Sequence, residues 1–189
     1  MSIIDIRTNY AINYPMNCNN AGRETLILGY DRMIYLYFIL PSFCSLYTFP
    51  KAELILFQYP REPWNQALLT DRCSGSDSYA LYPLLKPLNA YYQFAPSDID
   101  CERCIAFWAS RQKGYAAIDI TKIFQDWVSG KLGNSGLLLT GSATAQDISF
   151  ASGHFALAWM RPMLRLTCEC KAAQPTLCSV PCDVKVTKG

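Results

Sequence analysis

Residues 119–139 of the chain are Asp-Ile-Thr-Lys-Ile-Phe-Gln-Asp-Trp-Val-Ser-Gly-Lys-Leu-Gly-Asn-Ser-Gly-Leu-Leu-Leu. The apolar side chains of the first half recur at the spacing of one helix face: Ile120, Ile123, Phe124, Trp127 and Val128. Asp119 and Thr121 are residue types that cap helix N-termini, and Gly130 is a common helix stop. The stretch therefore predicts one short helix near residues 121–129, then a turn and an apolar strand.

Short apolar runs separated by turn residues follow one another along the rest of the chain. The strands that these runs predict are Thr25–Gly29, Met33–Leu40, Ala52–Tyr59, Ser78–Leu85, Cys104–Ala109, Tyr115–Ile118, Gly136–Leu139, Ile148–Phe150, Phe155–Trp159 and Met163–Cys170. Both faces of the run at Ala52–Tyr59 are largely apolar, which indicates an inner strand. Many short strands with one helix predict an all-β chain, a jelly-roll β-sandwich.

The length of 189 residues suits one domain with a short appendage. We place the domain at residues 1–170 and a cysteine-containing tail at residues 171–189. Residues 172–175 have the composition of a linker, and apolar and charged residues alternate from Cys182 to Val186 as in a short strand. This tail strand is available for assembly.

Charge and hydropathy exclude two classes of partner. The net charge of +2 gives no electrostatic footprint for nucleic acid. The longest apolar run, Met33–Leu40, is far too short to span a bilayer, so we expect no membrane insertion. Residues 1–30 lack a basic start followed by an apolar segment, which predicts a chain made without a signal peptide.

The nine cysteines are unusual for a chain kept in a reducing compartment. Because their number is odd, at least one thiol has no intramolecular partner and is either free or bonded to another chain. The candidates for disulfides or cross-links are Cys101, Cys104, Cys168, Cys170, Cys178 and Cys182. An alternative for the first four is a zinc site with thiolate ligands.

The residue types needed for catalysis are scarce. His154 is the only histidine, and its Ser-Gly-His-Phe context predicts an exposed turn rather than a catalytic base. The glycines form no phosphate-binding loop, and nothing indicates a cofactor. We therefore expect no enzyme activity.

Two further patterns leave alternatives open. Asp98, Asp100 and Glu102 form either a calcium site or a solvated acidic loop. Three aromatic residues either stack on sugar rings or pack within the domain: Trp64, Tyr91 and Tyr92.

Eight segments of the chain follow one another in a recognisable order: Asp5–Arg7, Asn13–Pro15, Thr25–Gly29, Arg32–Pro41, Lys51–Leu56, Asp119–Leu139, Phe150–Ser152 and Arg161–Leu164. This order of motifs resembles the DNRLRE domain family, which is also grouped with carbohydrate-binding modules and related to the TGF-β propeptide-like sandwich. The resemblance covers roughly residues 4–168. It implies a jelly-roll sandwich of bacterial or archaeal surface proteins, some of which bind polysaccharide.

These observations together predict a structural subunit that assembles with copies of itself on a cell or spore surface, as in an endospore appendage. A terminal strand, from residues 183–187 or 2–6, would add to the sheet of the next subunit, and disulfides would join the subunits. The alternative from another class is a polysaccharide-binding module.

Overall fold

The computed structural model describes residues 1–14, 24–59, 79–88, 95–108, 114–143 and 145–170, with only the backbone of Tyr59 and Cys170. The strands are β1 Ser2–Arg7, β2 Tyr10–Tyr14, β3 Thr25–Leu28, β4 Met33–Tyr37, β5 Tyr47–Tyr59, β6 Tyr79–Pro83, β7 Ile105–Phe107, β8 Gly114–Asp119, β9 Leu137–Gly141, β10 Ile148–Ala151 and β11 Met163–Cys170. One α-helix, α1, spans Thr121–Val128. In this part of the chain, no helix combines the length and the apolar character needed to cross a bilayer.

The strands form two antiparallel sheets. Sheet A has the order β1-β11-β5-β10-β3, with β8 on the other side of β5, and sheet B has the order β2-β4-β9-β6-β7. Strands β1 to β6 alternate between sheets A and B along the chain. The predicted all-β sandwich with one short helix is confirmed.

Strand β5 is the centre of sheet A, because it is paired along both edges. Glu53 lies opposite both Asp119 of β8 and Arg165 of β11. Gln58 lies opposite β8 on one side and β10 on the other. Strands β10 and β11 therefore follow each other along the same edge of β5, and the predicted inner strand is confirmed.

The predicted strand Phe155–Trp159 is wrong. The chain leaves the sheet after β10, makes a turn in which the Phe155 N–H donates to the Ser152 carbonyl oxygen, and forms a short 3-10 turn at Ala158–Met160. Because β10 and β11 already occupy this edge of β5, the apolar segment cannot pair with β5 there. Residues 152–162 instead form an excursion that folds back over sheet A, where Trp159 contacts Phe57.

The core lies between the sheets and follows the alternation of the strands. Inward-facing Leu54 and Leu56 of β5 and Leu164 and Leu166 of β11 are almost completely buried. Leu137 and Leu139 of sheet B belong to the same cluster.

Helix α1 closes one end of the sandwich with the predicted apolar face. Phe124 and Trp127 are buried, and the ring of Phe124 lies 4.9 Å from that of Phe49 in β5. The residue before the helix is Ile120, not a capping side chain, because its N–H donates to the Ala52 carbonyl oxygen of sheet A. Asp119 instead accepts the Thr121 N–H at 2.9 Å, one step earlier than a usual cap.

The helix ends as predicted at a glycine with a left-handed backbone. Gly130 has φ of 74°, and its N–H donates to the Trp127 carbonyl oxygen at 3.2 Å. The chain then turns into β9, so α1 is fixed at both ends to the sandwich.

Candidate interaction surfaces

Several predicted site residues lie outside the described residues: Trp64, Tyr91, Tyr92, Cys178 and Cys182. The side chain of Cys170 is also outside the description, although its backbone ends β11 opposite Tyr47. The remaining predicted residues divide into three separate places.

Cys101 and Cys104 flank an exposed 3-10 turn, Cys101–Arg103. Both carry thiols in the structure. The Cys104 N–H donates to the Cys101 carbonyl oxygen at 3.4 Å, and a hydrogen bond with Cys104 raises the pKa of the Tyr82 hydroxyl. The turn therefore presents two thiols to solvent from a hydrogen-bonded loop.

Cys168 and Cys44 lie elsewhere, in the core. The Cys168 thiol is buried and donates to the Ser2 carbonyl oxygen at 3.4 Å. Burial, followed by the neighbouring Cys168, raises the pKa of Cys44 to about 11. Cys44 was not predicted, because nothing in its local sequence distinguishes it from other turn residues.

The described residues contain no group of three or more His, Cys, Asp or Glu side chains that could hold a metal ion. Asp98 accepts from Lys86 at 2.9 Å and from the Ala95 N–H at 3.1 Å, and the Lys86 contact lowers the pKa of Asp98. Asp100 faces different donors. The acidic loop is therefore held by cationic and amide partners.

A charge network centred on two buried carboxylates, Asp100 and Asp126, joins this loop to α1, and the sequence analysis did not predict it. Arg103 donates from Nε to Asp126 at 2.8 Å and from Nη1 to Asp100 at 2.6 Å. Lys122 lies 3.5 Å from the other Asp126 oxygen. Only 3% of the Asp126 side chain is exposed, and its pKa is lowered by the hydrogen bond from Arg103. The network fixes the turn that carries Cys101 and Cys104 against the helix.

His154 lies in an exposed turn, as predicted. Its N–H donates to the Ser152 hydroxyl oxygen at 3.1 Å. The turn belongs to the excursion between β10 and β11 and leads into the 3-10 turn Ala158–Met160, which contains Trp159.

An aromatic cluster lies on the outer face of sheet A, where the excursion folds back over the strands. Phe57 of β5 packs edge-on against Tyr115 at 5.2 Å and against Trp159 at 5.8 Å, measured between ring centroids. Tyr115 and Trp159 are 52% and 49% exposed. This cluster could not be predicted from the sequence, because Tyr115 and Trp159 are 44 residues apart and Trp159 lay in a wrongly predicted strand.

A charged row crosses the same face of sheet A, four residues along β5 and β8 from Phe57 and Tyr115. The strand registers place Asp119, Glu53, Arg165 and Asp5 side by side. Arg165 donates to both Asp5 oxygens, at 3.0 and 3.1 Å. The row joins β8, β5, β11 and β1, and it has carboxylates at both ends.

A scan against models of known protein families and a search of curated proteins find no match for this chain. Three surfaces of the described residues bear on function: the two-thiol turn, the aromatic cluster and the outer strands of sheet A.

Proposed function

We propose that this protein is a self-assembling structural subunit of a cell-surface or spore-surface filament, built on a sandwich of the DNRLRE type. The C-terminal tail of one subunit adds a strand to the next, and disulfides then join neighbours. The observation that carries the proposal is that sheet A is already built when β11 ends at Cys170, while residues 171–189 with two further cysteines still follow.

The tail is a better donor than the N-terminal segment. All of β1, Ser2–Arg7, is paired with β11 inside its own chain. The bidentate contact between Arg165 and Asp5 holds it there, and Ile6 is buried beneath it. Donating β1 to another subunit would break these interactions in the donor, whereas donating the tail leaves the described sheets intact.

The exposed turn supplies thiols for cross-links. Cys101 and Cys104 are accessible to a neighbouring subunit, whereas buried Cys168 would first require local unfolding. In each cross-link, two thiols lose two protons and two electrons to an oxidant such as molecular oxygen, and one S–S bond forms. Such bonds persist in an oxidising exterior, which agrees with the number of cysteines.

Deletion of residues 172–189 tests the proposal. We expect a folded monomer with native-like circular dichroism, because the deletion starts after β11, and no filaments in negative-stain images. A control in which the tail is replaced by a Gly/Ser segment of equal length keeps the chain length and should also fail to assemble. Filaments of normal length from either variant, in both reducing and oxidising buffer, would refute the role of the tail.

Polysaccharide binding is a second candidate, favoured by the exposed rings of Tyr115 and Trp159. Aromatic faces stack on the apolar faces of sugar rings, and the charged row beside them offers hydrogen-bonding groups. Trp159→Ala should then abolish retention on insoluble polysaccharide, while Trp108→Ala serves as the control because Trp108 is 63% exposed elsewhere. Equal retention of wild type and both variants would exclude this cluster as the binding surface.

A further inference from the structure

The outer edge of β8 has backbone groups that sheet A does not use. Within the described part of the chain, β8 pairs only with β5. The bond from the Ile120 N–H to the Ala52 carbonyl oxygen, 2.9 Å long, sets the phase of this ladder. Hydrogen-bonded pairs alternate along an antiparallel ladder, so Ile118 and Ala116 also bond to β5. The N–H and C=O groups of the other three residues point away from it: Tyr115, Ala117 and Asp119.

Two other edge strands, β2 of sheet B and β3 of sheet A, are linked to each other by hydrogen bonds. Asn13 of β2 donates through its side-chain amide to the Ile27 carbonyl oxygen of β3 and accepts the Ile27 N–H at 3.0 Å. Asn13 therefore joins the β2 edge of sheet B to the β3 edge of sheet A. Strand β7 at the far edge of sheet B has only three residues, which gives a short template.

The remaining edge, β1, is protected by charge. The Thr8 N–H donates to the Pro162 carbonyl oxygen, which places the backbone groups of Ile3, Asp5 and Arg7 outward. Charged side chains are a common device against edge-to-edge pairing, and β1 carries both Asp5 and Arg7. The outward-facing residues of β8 carry fewer charges than those of β1, since Asp119 is charged but Tyr115 and Ala117 are not, and none of the three is Lys, Arg or Pro.

The tail fits the β8 edge by length and by the alternation of its side chains. Residues 183–187 provide five residues against the six of β8. In an added strand the alternation separates Val184 and Val186 from Lys185. The valines match the inward side of β8, where Ile118 is buried. Lys185 and Asp183 then fall on the outer side, where Asp119 is the nearest carboxylate of β8 that Lys185 could meet.

We propose that the outer edge of β8 is the acceptor for the C-terminal tail of a second copy of this chain. The inference rests on the proposed function and identifies its acceptor surface. Strand addition there would pair the outward N–H and C=O groups of Tyr115, Ala117 and Asp119 with tail backbone. Among the described residues, no strand pairs with these groups.

Ala117→Pro tests the acceptor edge directly. Proline removes the outward N–H of Ala117 without removing a bond to β5, and edge strands tolerate such a proline. We expect a folded protein with a near-native melting curve whose filament yield in reducing buffer falls by about tenfold or more, since each added tail loses a central ladder bond. Ile3→Pro is the matched control, because it changes an outward, exposed position of β1, and it should assemble like wild type.

The outcomes separate the acceptor from the proposed function. Normal filaments from Ala117→Pro, together with none from the tail deletion, would overturn β8 as the acceptor and leave tail donation standing. Normal filaments from both would refute tail donation itself. Loss of assembly in both Ala117→Pro and Ile3→Pro would also count against a specific role of β8.

Hydrogen exchange of the wild-type protein provides a readout that needs no substitution. The amides of Tyr115 and Ala117 should exchange quickly in the tail-deleted monomer and about tenfold or more slowly in filaments. Unchanged exchange in filaments would overturn the proposal, even if Ala117→Pro fails to fold. Protection already present in a full-length monomer would mean that the tail binds the β8 edge of its own chain.

Discussion

Gly136 lies in the turn that enters β9, where its φ of 99° is unfavourable for any residue with a side chain. A Cβ atom there would lie 2.5 Å from Cε2 of Tyr35 and 2.7 Å from the Leu36 carbonyl oxygen. We expect Gly136→Ala to lower the free energy of unfolding by about 1–3 kcal/mol, because strain and a backbone clash add. Urea denaturation measures the change.

Gly133 is the control for that substitution. A Cβ at Gly133 would meet no atom within 4 Å. Gly133→Ala should leave the free energy of unfolding within about 0.5 kcal/mol of wild type, as for most surface changes. Equal losses for the two variants would mean that Gly136 is not constrained as described.

The four described cysteines should differ sharply in reactivity. Thiolates are the reactive form, and Cys44 is both buried and shifted to a pKa of about 11. Near neutral pH we expect iodoacetamide to label Cys101 and Cys104 in the native monomer, and Cys44 and Cys168 only after unfolding. Mass spectrometry of peptides from native and denatured samples measures this, and native labelling of Cys44 would contradict the burial.

Helix α1 depends on a charge network as well as on its apolar face. The contact from Arg103 lowers the pKa of Asp126, so the network stabilises the fold at pH values above the ordinary carboxyl pKa and is lost as the pH falls through the lowered value. Asp126→Asn should reduce the free energy of unfolding at pH 7 by about 1–3 kcal/mol, since Arg103 loses a charged acceptor.

The sign of the pH effect gives a second check. The difference between wild type and Asp126→Asn should shrink as the pH is lowered from 7 to 3 in thermal melts. Asp98→Asn is the control, because it removes a carboxylate whose partner, Lys86, is largely exposed, and it should change stability much less. A constant difference across this pH range would show that Asp126 acts by shape rather than by charge.

The elements that the sequence predicted correctly are those whose signal is local. The face of α1 and the two apolar faces of β5 can be read within a window of a few residues. The excursion at residues 152–162 could not be predicted in this way, because Phe155–Trp159 is a short run of apolar residues like that of a buried strand. Only the occupation of the β5 edge by β10 and β11 decides against pairing.

The candidate surfaces were less predictable, because they depend on residues far apart in the chain. Arg103 and Asp126 are 23 residues apart, and Asp5 and Arg165 are 160 apart. No periodicity brings such pairs together. The C-x-x-C at Cys101 and Cys104 was visible in the sequence, but the difference in exposure between these two and Cys168 required the fold.

At the scale of the whole molecule, the sheet edges are unequal. Asn13 joins β2 to β3, charges guard β1, and β8 remains the least protected edge. In the proposed assembly, the tail of one subunit binds the β8 edge of the next in a head-to-tail contact, which would leave an unused tail and an unused edge at the two ends of every open assembly. Such a contact continues into a filament unless its rotation closes a ring.

Strand addition and disulfides should contribute separately to that filament. If the proposed assembly is right, the tail contact alone would hold the subunits in reducing buffer, so we expect filaments that form at high protein concentration and dissociate on dilution. After oxidation the same filaments should survive dilution and heating, and migrate as a ladder on non-reducing gels, because covalent cross-links prevent exchange.

The double variant Cys101→Ser/Cys104→Ser separates the exposed turn from the cysteines of the tail. If the turn provides the cross-links, this variant should assemble normally but remain sensitive to dilution after oxidation. Cys44→Ala is the control, because that buried thiol should have no part in cross-linking and oxidised filaments of the variant should stay resistant. Dilution-resistant filaments from the double variant would assign the cross-links to other cysteines. Failure of wild type to assemble at any concentration in reducing buffer would mean that disulfides, not the added strand, bring the subunits together.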